Sequence, residues 1–157
     1  MSKKIVLLRH AEEPDDDDDS LDLSRAGRTR SEKLATYVPK AFGKPAFLFA
    51  AAPSDSSVRC YLTLRPLADR LGVNIEGTYK DREFGALAAK LLADPAFDDR
   101  LVVVAWTHKQ LPALASSLNV ARGDFPSQWD EEVFDLLFEL TYGKRRRPKV
   151  RRIRQPF

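Results

Sequence analysis

The chain has 157 residues, of which 43% are hydrophobic and 31% are charged, a balance typical of one folded domain and not of a disordered chain. Its net charge of +3 conceals an uneven layout, because residues 12–22 hold eight acids and no base whereas residues 144–157 hold eight bases and no acid. No apolar stretch is long enough to span a membrane, the run at residues 5–8 is too short for a secretory signal, and a single cysteine excludes an internal disulfide and a Cys-cluster metal site. We therefore expect one cytoplasmic domain over residues 1–157 that does not bind membranes.

Apolar runs and helical spacings alternate along the chain. Short runs rich in aliphatic residues predict buried strands, and apolar residues spaced by three and four predict helices. Ser24 can cap the first helix, and Pro66 should kink the second. In chain order, the pattern predicts strand 3–8, the acidic loop 12–22, helix 24–38, strand 47–52, helix 58–71, strand 73–78, helix 83–93, strand 101–106, helix 111–118 and a final hairpin with arms 133–142 and 148–155.

This alternation predicts the fold class and the edge of the sheet that carries the chemistry. Strands that alternate with helices form βαβ units, so we expect an α/β fold, a three-layer α/β/α sandwich with a mainly parallel central sheet. Ligands of such sheets bind at the C-terminal ends of the strands. The only two histidines of the chain, His10 and His108, both lie at the C-terminal ends of predicted strands, two residues after the last strand residue.

Arginine accompanies these histidines. Arg9 precedes His10, and Arg59 follows the predicted strand 47–52 after a short loop. Guanidinium groups offer planar forks of donors to phosphate oxygens, and a neutral imidazole can attack phosphorus. If these strand ends are neighbours, the two arginines and two histidines best suit a phosphoryl group.

Four segments carry a resemblance to a known family. Ile5–Glu12 resembles the opening strand and Arg-His-Gly signature of the histidine phosphatase superfamily, also called phosphoglycerate mutase-like. Leu23–Arg30 is similar to its Leu-Thr/Ser-x-x-Gly helix start, and Ala52–Ala68 to its Ser-x(n)-Arg-Ala-x-x-Thr-Ala-x-Pro-Leu-Ala segment. Val102–His108 is similar to the strand that delivers the second histidine. Order and spacing hold over some three quarters of the chain, although Ala11 and Thr107 stand where glycine is usual.

The resemblance implies a phosphohistidine mechanism. His10 would be the nucleophile, while Arg9, Arg59 and His108 would bind the phosphoryl oxygens, and neither a metal nor a cofactor would be required. The substrate would be a phosphorylated small molecule or a phosphoprotein.

The resemblance leaves the general acid open. In the mutase-like branch a glutamate precedes an aromatic-Gly-Ala-Leu stretch, to which Asp81–Leu87 is similar. Alignment on Gly85 places Asp81 at the acid position, and Glu83 is the competing choice, either as acid or as a substrate-binding residue. Both could instead be solvated acids that favour the start of a helix. Small family members acting on good leaving groups, such as phosphohistidine, can lack a dedicated acid.

The acidic loop narrows the choice of substrate. Carboxylates directly after His10 repel anionic substrates, and a chain of this length has no room for the insertions that shape sugar-phosphate pockets. These features argue against a mutase and favour a compact phosphatase for an exposed phosphoryl group. Residues 15–19 could also bind a divalent cation, but a solvated loop is the simpler interpretation.

Two rival functions remain open. A non-catalytic phosphate or phosphoprotein binder would keep the pocket without the acid. The basic residues 144–157 could bind nucleic acid, although Val150 and Ile153 favour an ordered edge strand whose cations deter edge pairing.

The chain's single cysteine, Cys60, is interpreted as a core residue, and Trp129 with three phenylalanines as core and pocket wall.

Overall fold

The computed structural model describes residues 2–15 and 20–157, and its elements follow the predicted alternation. Two short 3-10 helices, Asp81–Glu83 and Pro95–Phe97, flank the third α-helix. The strands are β1 (Lys3–Arg9), β2 (Phe47–Ala50), β3 (Ile75–Glu76), β4 (Leu101–Trp106), β5 (Leu136–Tyr142) and β6 (Lys149–Arg154); the helices are α1 (Arg25–Phe42), α2 (Arg59–Leu71), α3 (Phe84–Ala93) and α4 (Leu111–Ser117).

One six-stranded sheet has the order β3-β2-β4-β1-β5-β6. The first four strands in that order are parallel, and the β5–β6 hairpin adds two antiparallel strands beside β1. Arg9 lies opposite Trp106 and Ala50 opposite Ala105, so β1, β4 and β2 end at the same edge of the sheet. The prediction of an α/β fold with a mainly parallel sheet is confirmed.

Helices cover the sheet on both faces. The chain moves from β1 toward the β3 edge through α1 and α2 and then returns to β4 through α3, so right-handed crossovers place α3 on the face opposite α1 and α2. In agreement, α1 packs against α2 and α3 packs against α4. Strand β4 is buried along its whole length, as a strand covered on both faces must be.

Several element boundaries differ from the sequence prediction. Helix α1 continues through Pro39 to Phe42, because Val38 is buried and Phe42 packs edge-on against Tyr37, contacts that offset the backbone hydrogen bond that proline cannot donate. The strand predicted over 73–78 is reduced to Ile75–Glu76.

The acidic segment and the basic C-terminal residues have different surroundings. Residues 16–19 lie outside the described part of the chain, and with them most of the predicted cation-binding run. The predicted basic tail contains β6, whose Arg151 and Arg154 form ion pairs with Glu139 and Asp135, both at 3.0 Å.

Within the described ranges, no helix is long and apolar enough to cross a bilayer.

Candidate active site

The paired ends of β1 and β4 bring the two histidines to the same edge of the sheet. The two strands are paired up to Arg9 and Trp106, and the His10 amide extends the ladder by donating to the Trp106 carbonyl at 3.2 Å. His108 follows two residues after Trp106. The charge of Arg9 contributes to lowering the pKa of both His10 and His108, so all three side chains belong to one cluster.

His10 is a buried histidine in a defined tautomer. Its side chain is 4% exposed, and Nδ1 lies 2.7 Å from the carbonyl oxygen of Ala11. Because a carbonyl only accepts hydrogen bonds, Nδ1 carries the proton and the lone pair of the neutral ring is on Nε2. Burial, opposed only in part by that hydrogen bond, lowers the pKa of His10 to about 4. At neutral pH the ring is therefore an uncharged potential nucleophile.

Arg9 is a buried cation whose hydrogen-bond donors are only partly used by the described residues. Nη1 donates to the carbonyls of Glu131 and Val133, and the guanidinium carbon lies 3.8 Å from the centre of the Phe134 ring. Among the described residues, Nε and Nη2 have no hydrogen-bond partner. Burial lowers the pKa of this group, but an arginine stays charged at any ordinary pH. The loop before β5 thus orients Arg9 and leaves two of its donor atoms for an anion.

Arg59 reaches the cluster from the first turn of α2. Its Nε donates to the carbonyl of Asp22 at 3.1 Å and its Nη2 to that of Ser20 at 2.7 Å, so the end of the acidic segment holds its side chain. The charge of Arg59, like that of Arg9, lowers the pKa of His10. The structure therefore brings together Arg9, His10, Arg59 and His108.

Glu13 lies between the two arginines. One carboxylate oxygen is 3.5 Å from Arg9 Nη2, and the other is 3.4 Å from Arg59 Nη1. Its negative charge also acts to raise the pKa of both histidines, against the larger effect of desolvation. The cluster already holds one anionic group of the chain.

His108 is the more exposed of the two histidines. Its ring is half-buried and borders a cleft of about 870 Å³, which Trp129, Asp130 and Glu131 also line. Desolvation, together with the charge of Arg9, lowers the pKa of His108. A neutral His108 can donate a hydrogen bond to a phosphoryl oxygen while the rest of a substrate extends into the cleft.

The two candidate acids occupy different positions. Asp81 accepts a hydrogen bond from the Thr107 hydroxyl, directly beside His108, and its backbone carbonyl accepts from the indole of Trp106 at 2.9 Å. Glu83 is exposed and accepts from the backbone amide of Lys80 at 2.9 Å, which caps the 3-10 helix. The structure brings Asp81 to the C-terminal end of β4 and engages Glu83 in the cap.

Hydrogen bonds from α1 and α2 hold the segment after His10 in place. In the sequence the residues that make them were visible only as parts of separate motifs. The buried Ala11 amide donates to Thr63 Oγ1 at 2.8 Å, and that hydroxyl donates to the Arg59 carbonyl at 2.7 Å. At the next residue, the Glu12 carboxylate is held by both Nε and Nη2 of Arg30, at 2.8 and 3.1 Å. Helices α1 and α2 together position the backbone around His10.

Three features of the cluster were not assigned from the sequence. Thr63 was visible as part of a motif, but its bond to the Ala11 amide required the fold. The Arg9 anchor uses backbone carbonyls, which every residue has, so no sequence signal marks it. Glu13 stood in the acidic run with nothing to distinguish it from its neighbours.

Cys60 is buried in α2 at 3% exposure, and burial raises its pKa to about 12, so the thiol stays protonated. Within residues 2–15 and 20–157, no three His, Cys, Asp or Glu side chains are grouped closely enough to hold a metal ion.

The whole chain superposes on solved structures of one superfamily. The protein histidine phosphatase SixA complexed with tungstate gives a TM-score of 0.70 at 16% identity, with 96% of each chain covered. A mycobacterial glucosyl-3-phosphoglycerate phosphatase gives 0.62 at 17% identity, with 99% of each chain covered. A phosphoglycerate mutase from Plasmodium falciparum gives 0.64 at 10% identity, covering 96% of this chain and 89% of that one. The chain has the histidine phosphatase fold.

No protein-family model and no curated protein matches the sequence. With identities of 10% to 17%, the likeness to these three structures is one of fold. Within the histidine phosphatase fold, the C-terminal edge of the sheet is where this chain places His10, Arg9 and His108.

Proposed function

We propose that the protein is a metal-independent phosphatase that hydrolyses a phosphomonoester or a phosphoprotein through a phosphohistidine intermediate on His10. The observation that carries this proposal is the buried, neutral His10, whose Nε2 lone pair is fixed by the bond from Nδ1 to the Ala11 carbonyl. Arg9, Arg59 and His108 would supply the positive charge and the hydrogen-bond donors that bind the phosphoryl oxygens.

Binding of the phosphoryl group would use the donors that Arg9 keeps free. Nε and Nη2 of Arg9 and Nη1 of Arg59 would donate to the phosphoryl oxygens, and His108 would donate to another oxygen. Because Arg9 is anchored on two carbonyls and stacked on Phe134, its charge is already in place when the transition state forms.

The first chemical step is an in-line transfer to nitrogen. The Nε2 lone pair of His10 forms a bond to phosphorus while the bond from phosphorus to the leaving group breaks, and the leaving group takes up a proton. In the second step water attacks the phosphorus, the P–N bond breaks, the water proton passes to a base or to solvent, and inorganic phosphate leaves.

Asp81 is our candidate for the proton transfers. Its carboxylate accepts a hydrogen bond from the hydroxyl of Thr107, the residue directly before His108. Glu83, engaged in the cap of the 3-10 helix, is the weaker candidate. A leaving group that is already a good one, such as the imidazole of phosphohistidine, would need little help from either carboxylate.

The solved structures support a compact phosphatase of this kind. SixA is described as a protein histidine phosphatase, and the match covers 96% of each chain, which leaves this chain no long insertion relative to SixA that could enclose a substrate. We therefore favour an exposed phosphoryl group, on a protein or a small molecule, over a substrate that must be enclosed.

One assay tests both roles. Hydrolysis of p-nitrophenyl phosphate and of phosphoramidate is compared for wild type, His10→Ala and Asp81→Asn. We expect His10→Ala to lose at least about 10³-fold in kcat on both substrates. Asp81→Asn should lose more on p-nitrophenyl phosphate, whose oxygen leaving group must take up a proton, than on phosphoramidate, whose nitrogen leaving group needs less help. Hydrolysis that survives in His10→Ala would contradict the mechanism, and saturable phosphate binding without turnover in the wild type would favour the non-catalytic binder.

A further inference from the structure

Glu13 is the acidic side chain that enters the cluster of arginines. Its two carboxylate oxygens lie 3.5 Å from Arg9 Nη2 and 3.4 Å from Arg59 Nη1, one oxygen on each cation. These distances are longer than the 2.7–2.9 Å of a charge-assisted hydrogen bond, so the carboxylate is attracted to both guanidinium groups without being locked to either.

The same contacts mark where an external anion would bind. Nε and Nη2 of Arg9 are buried and have no hydrogen-bond partner among the described residues. Nη2 nevertheless faces the Glu13 carboxylate, and so does Nη1 of Arg59. A phosphoryl group that accepts hydrogen bonds from these atoms would have to lie at, or next to, the present position of the Glu13 carboxylate.

The contacts of Glu12 explain how the Glu13 side chain can move without the backbone beside His10. Glu12 is clamped by Arg30, and its carbonyl accepts from the Ser24 amide at 2.9 Å, so the chain is fixed up to that residue. Glu13 follows directly, and 41% of its side chain is exposed. Its side chain can rotate toward solvent while the backbone next to His10 stays in place.

We infer that Glu13 is a specificity-determining residue, an anion of the chain itself that competes with the phosphoryl group for Arg9 and Arg59. After displacement its charge stays at the mouth of the site. It therefore disfavours substrates that carry a second anionic group beside the phosphoryl group, and it favours those whose leaving portion is neutral or cationic. This inference rests on the proposed function only in placing the phosphoryl group on these two arginines.

The first test measures binding without turnover. Isothermal titration of inorganic phosphate into wild type and Glu13→Gln, at fixed pH and ionic strength, should show about five- to twentyfold tighter binding in the variant, because a unit charge a few ångströms from the anion is removed. Glu13→Ala should behave like Glu13→Gln, since the charge and not the amide matters. Asp15→Asn is the matched control: it removes an exposed charge from the same segment and should leave the dissociation constant within about twofold.

The second test measures discrimination. The ratio of kcat/KM for p-nitrophenyl phosphate to that for 3-phosphoglycerate, which carries an additional carboxylate, should fall by about fivefold or more in Glu13→Gln. The change should arise from a lower KM for the doubly anionic substrate. A residue that only maintained the fold would lower kcat on both substrates and leave the ratio unchanged.

The outcomes separate this inference from the proposed function. If Glu13→Gln binds phosphate no better than wild type, or if Asp15→Asn has the same effect, the inference is overturned even when His10-dependent hydrolysis is found. If no substrate is hydrolysed but phosphate binding still tightens in Glu13→Gln and not in Asp15→Asn, the proposed function fails and the role of Glu13 stands.

Discussion

His10 shows how one side chain can be prepared for attack on phosphorus by its surroundings. A free imidazole titrates near pH 6.5 and is partly protonated at neutral pH, whereas burial lowers the pKa of His10 to about 4. The bond to the Ala11 carbonyl then decides which nitrogen is free to react. A neutral histidine beside two arginines is costly to protonate, and this cost is measurable as stability.

The stability of the protein should fall as the pH drops from about 6.5 to about 4. In this range the unfolded chain takes up a proton on residue 10 and the native chain does not, so the free energy of unfolding decreases with falling pH. Between pH 7 and pH 4.5, His10 should account for a loss of about 2–3 kcal/mol in the free energy of unfolding. Urea denaturation at several pH values measures it.

His10→Gln is the comparison, because glutamine can still donate to the Ala11 carbonyl but does not titrate. Protonation of carboxylates affects both proteins alike, so the pH-dependent loss should be smaller in the variant by the amount given above. Equal losses in both proteins would mean that His10 titrates normally in the folded state.

At this scale the sequence indicated the reacting groups but not their environment. The pairing of Arg9 with His10 and the position of His108 after a buried strand follow from residue type and order. The anchoring of Arg9 depends on carbonyls of a loop more than 120 residues away, and the contact of Glu13 with two arginines depends on how the segment after β1 and the start of α2 approach each other. Neither is encoded in local spacing.

The start of α1 is the element that holds the backbone after His10. Ser24 Oγ accepts from the Gly27 amide at 3.1 Å and donates to the Glu12 carbonyl at 3.2 Å, so the helix cap and the active-site segment share one hydroxyl. A Cβ atom at Gly27 would collide with the Glu12 carbonyl oxygen. The glycine is needed for this close approach, which brings Glu13 to the arginines.

Gly27→Ala should therefore destabilise the protein although alanine is the better helix former. We expect a loss of about 1–3 kcal/mol in the free energy of unfolding, together with a changed phosphate affinity, because the displaced Glu12–Glu13 segment no longer holds the Glu13 carboxylate at the arginines. Chemical denaturation and phosphate titration measure the two effects.

Gly85→Ala provides the control, because Gly85 is also helical and a Cβ atom there meets nothing within 4 Å. That variant should be unchanged or more stable by up to about 1 kcal/mol. If Gly27→Ala were as stable as Gly85→Ala and bound phosphate normally, the close packing of α1 on the active-site segment would be unimportant.

Element boundaries show where sequence patterns end and tertiary packing takes over. The arm predicted over 133–142 begins as a strand only at Leu136, because the carbonyl of Val133 accepts from Arg9 and from the Trp129 indole instead of from a neighbouring strand. The helix predicted to end at residue 38 continues through Pro39 to Phe42, and the packing of Phe42 on Tyr37 supports this last turn.

Over the whole molecule the two charged segments have separate places. The start of the acidic segment enters the candidate site through Glu13, whereas the C-terminal bases are on the β5–β6 hairpin, where Arg151 and Arg154 already pair with carboxylates. Arg145, Arg146 and Arg147 lie exposed in the turn of this hairpin. Deletion of residues 144–157 would remove β6 from the sheet, so a test of the basic residues must leave the strand intact.

Replacement of Arg145, Arg146 and Arg147 by glutamine should leave hydrolysis of p-nitrophenyl phosphate within about twofold of wild type, because exposed charges far from a site are screened at physiological salt. Steady-state kinetics at 150 mM salt, about the physiological value, checks this. A tenfold loss would place the hairpin turn in the substrate site. Steeply salt-dependent DNA or RNA binding that disappears in this variant would support the nucleic-acid-binding alternative.

The central claim, that His10 carries the phosphoryl group, is tested most directly by trapping the intermediate. Wild-type protein is mixed with a radiolabelled phosphoryl donor, quenched in alkali within milliseconds, and mapped by peptide mass spectrometry. The account predicts an acid-labile, alkali-stable phosphoryl group on His10 that is absent from His10→Ala. Rapid hydrolysis with no labelled histidine at any quench time, or a label on a residue other than His10, would contradict it.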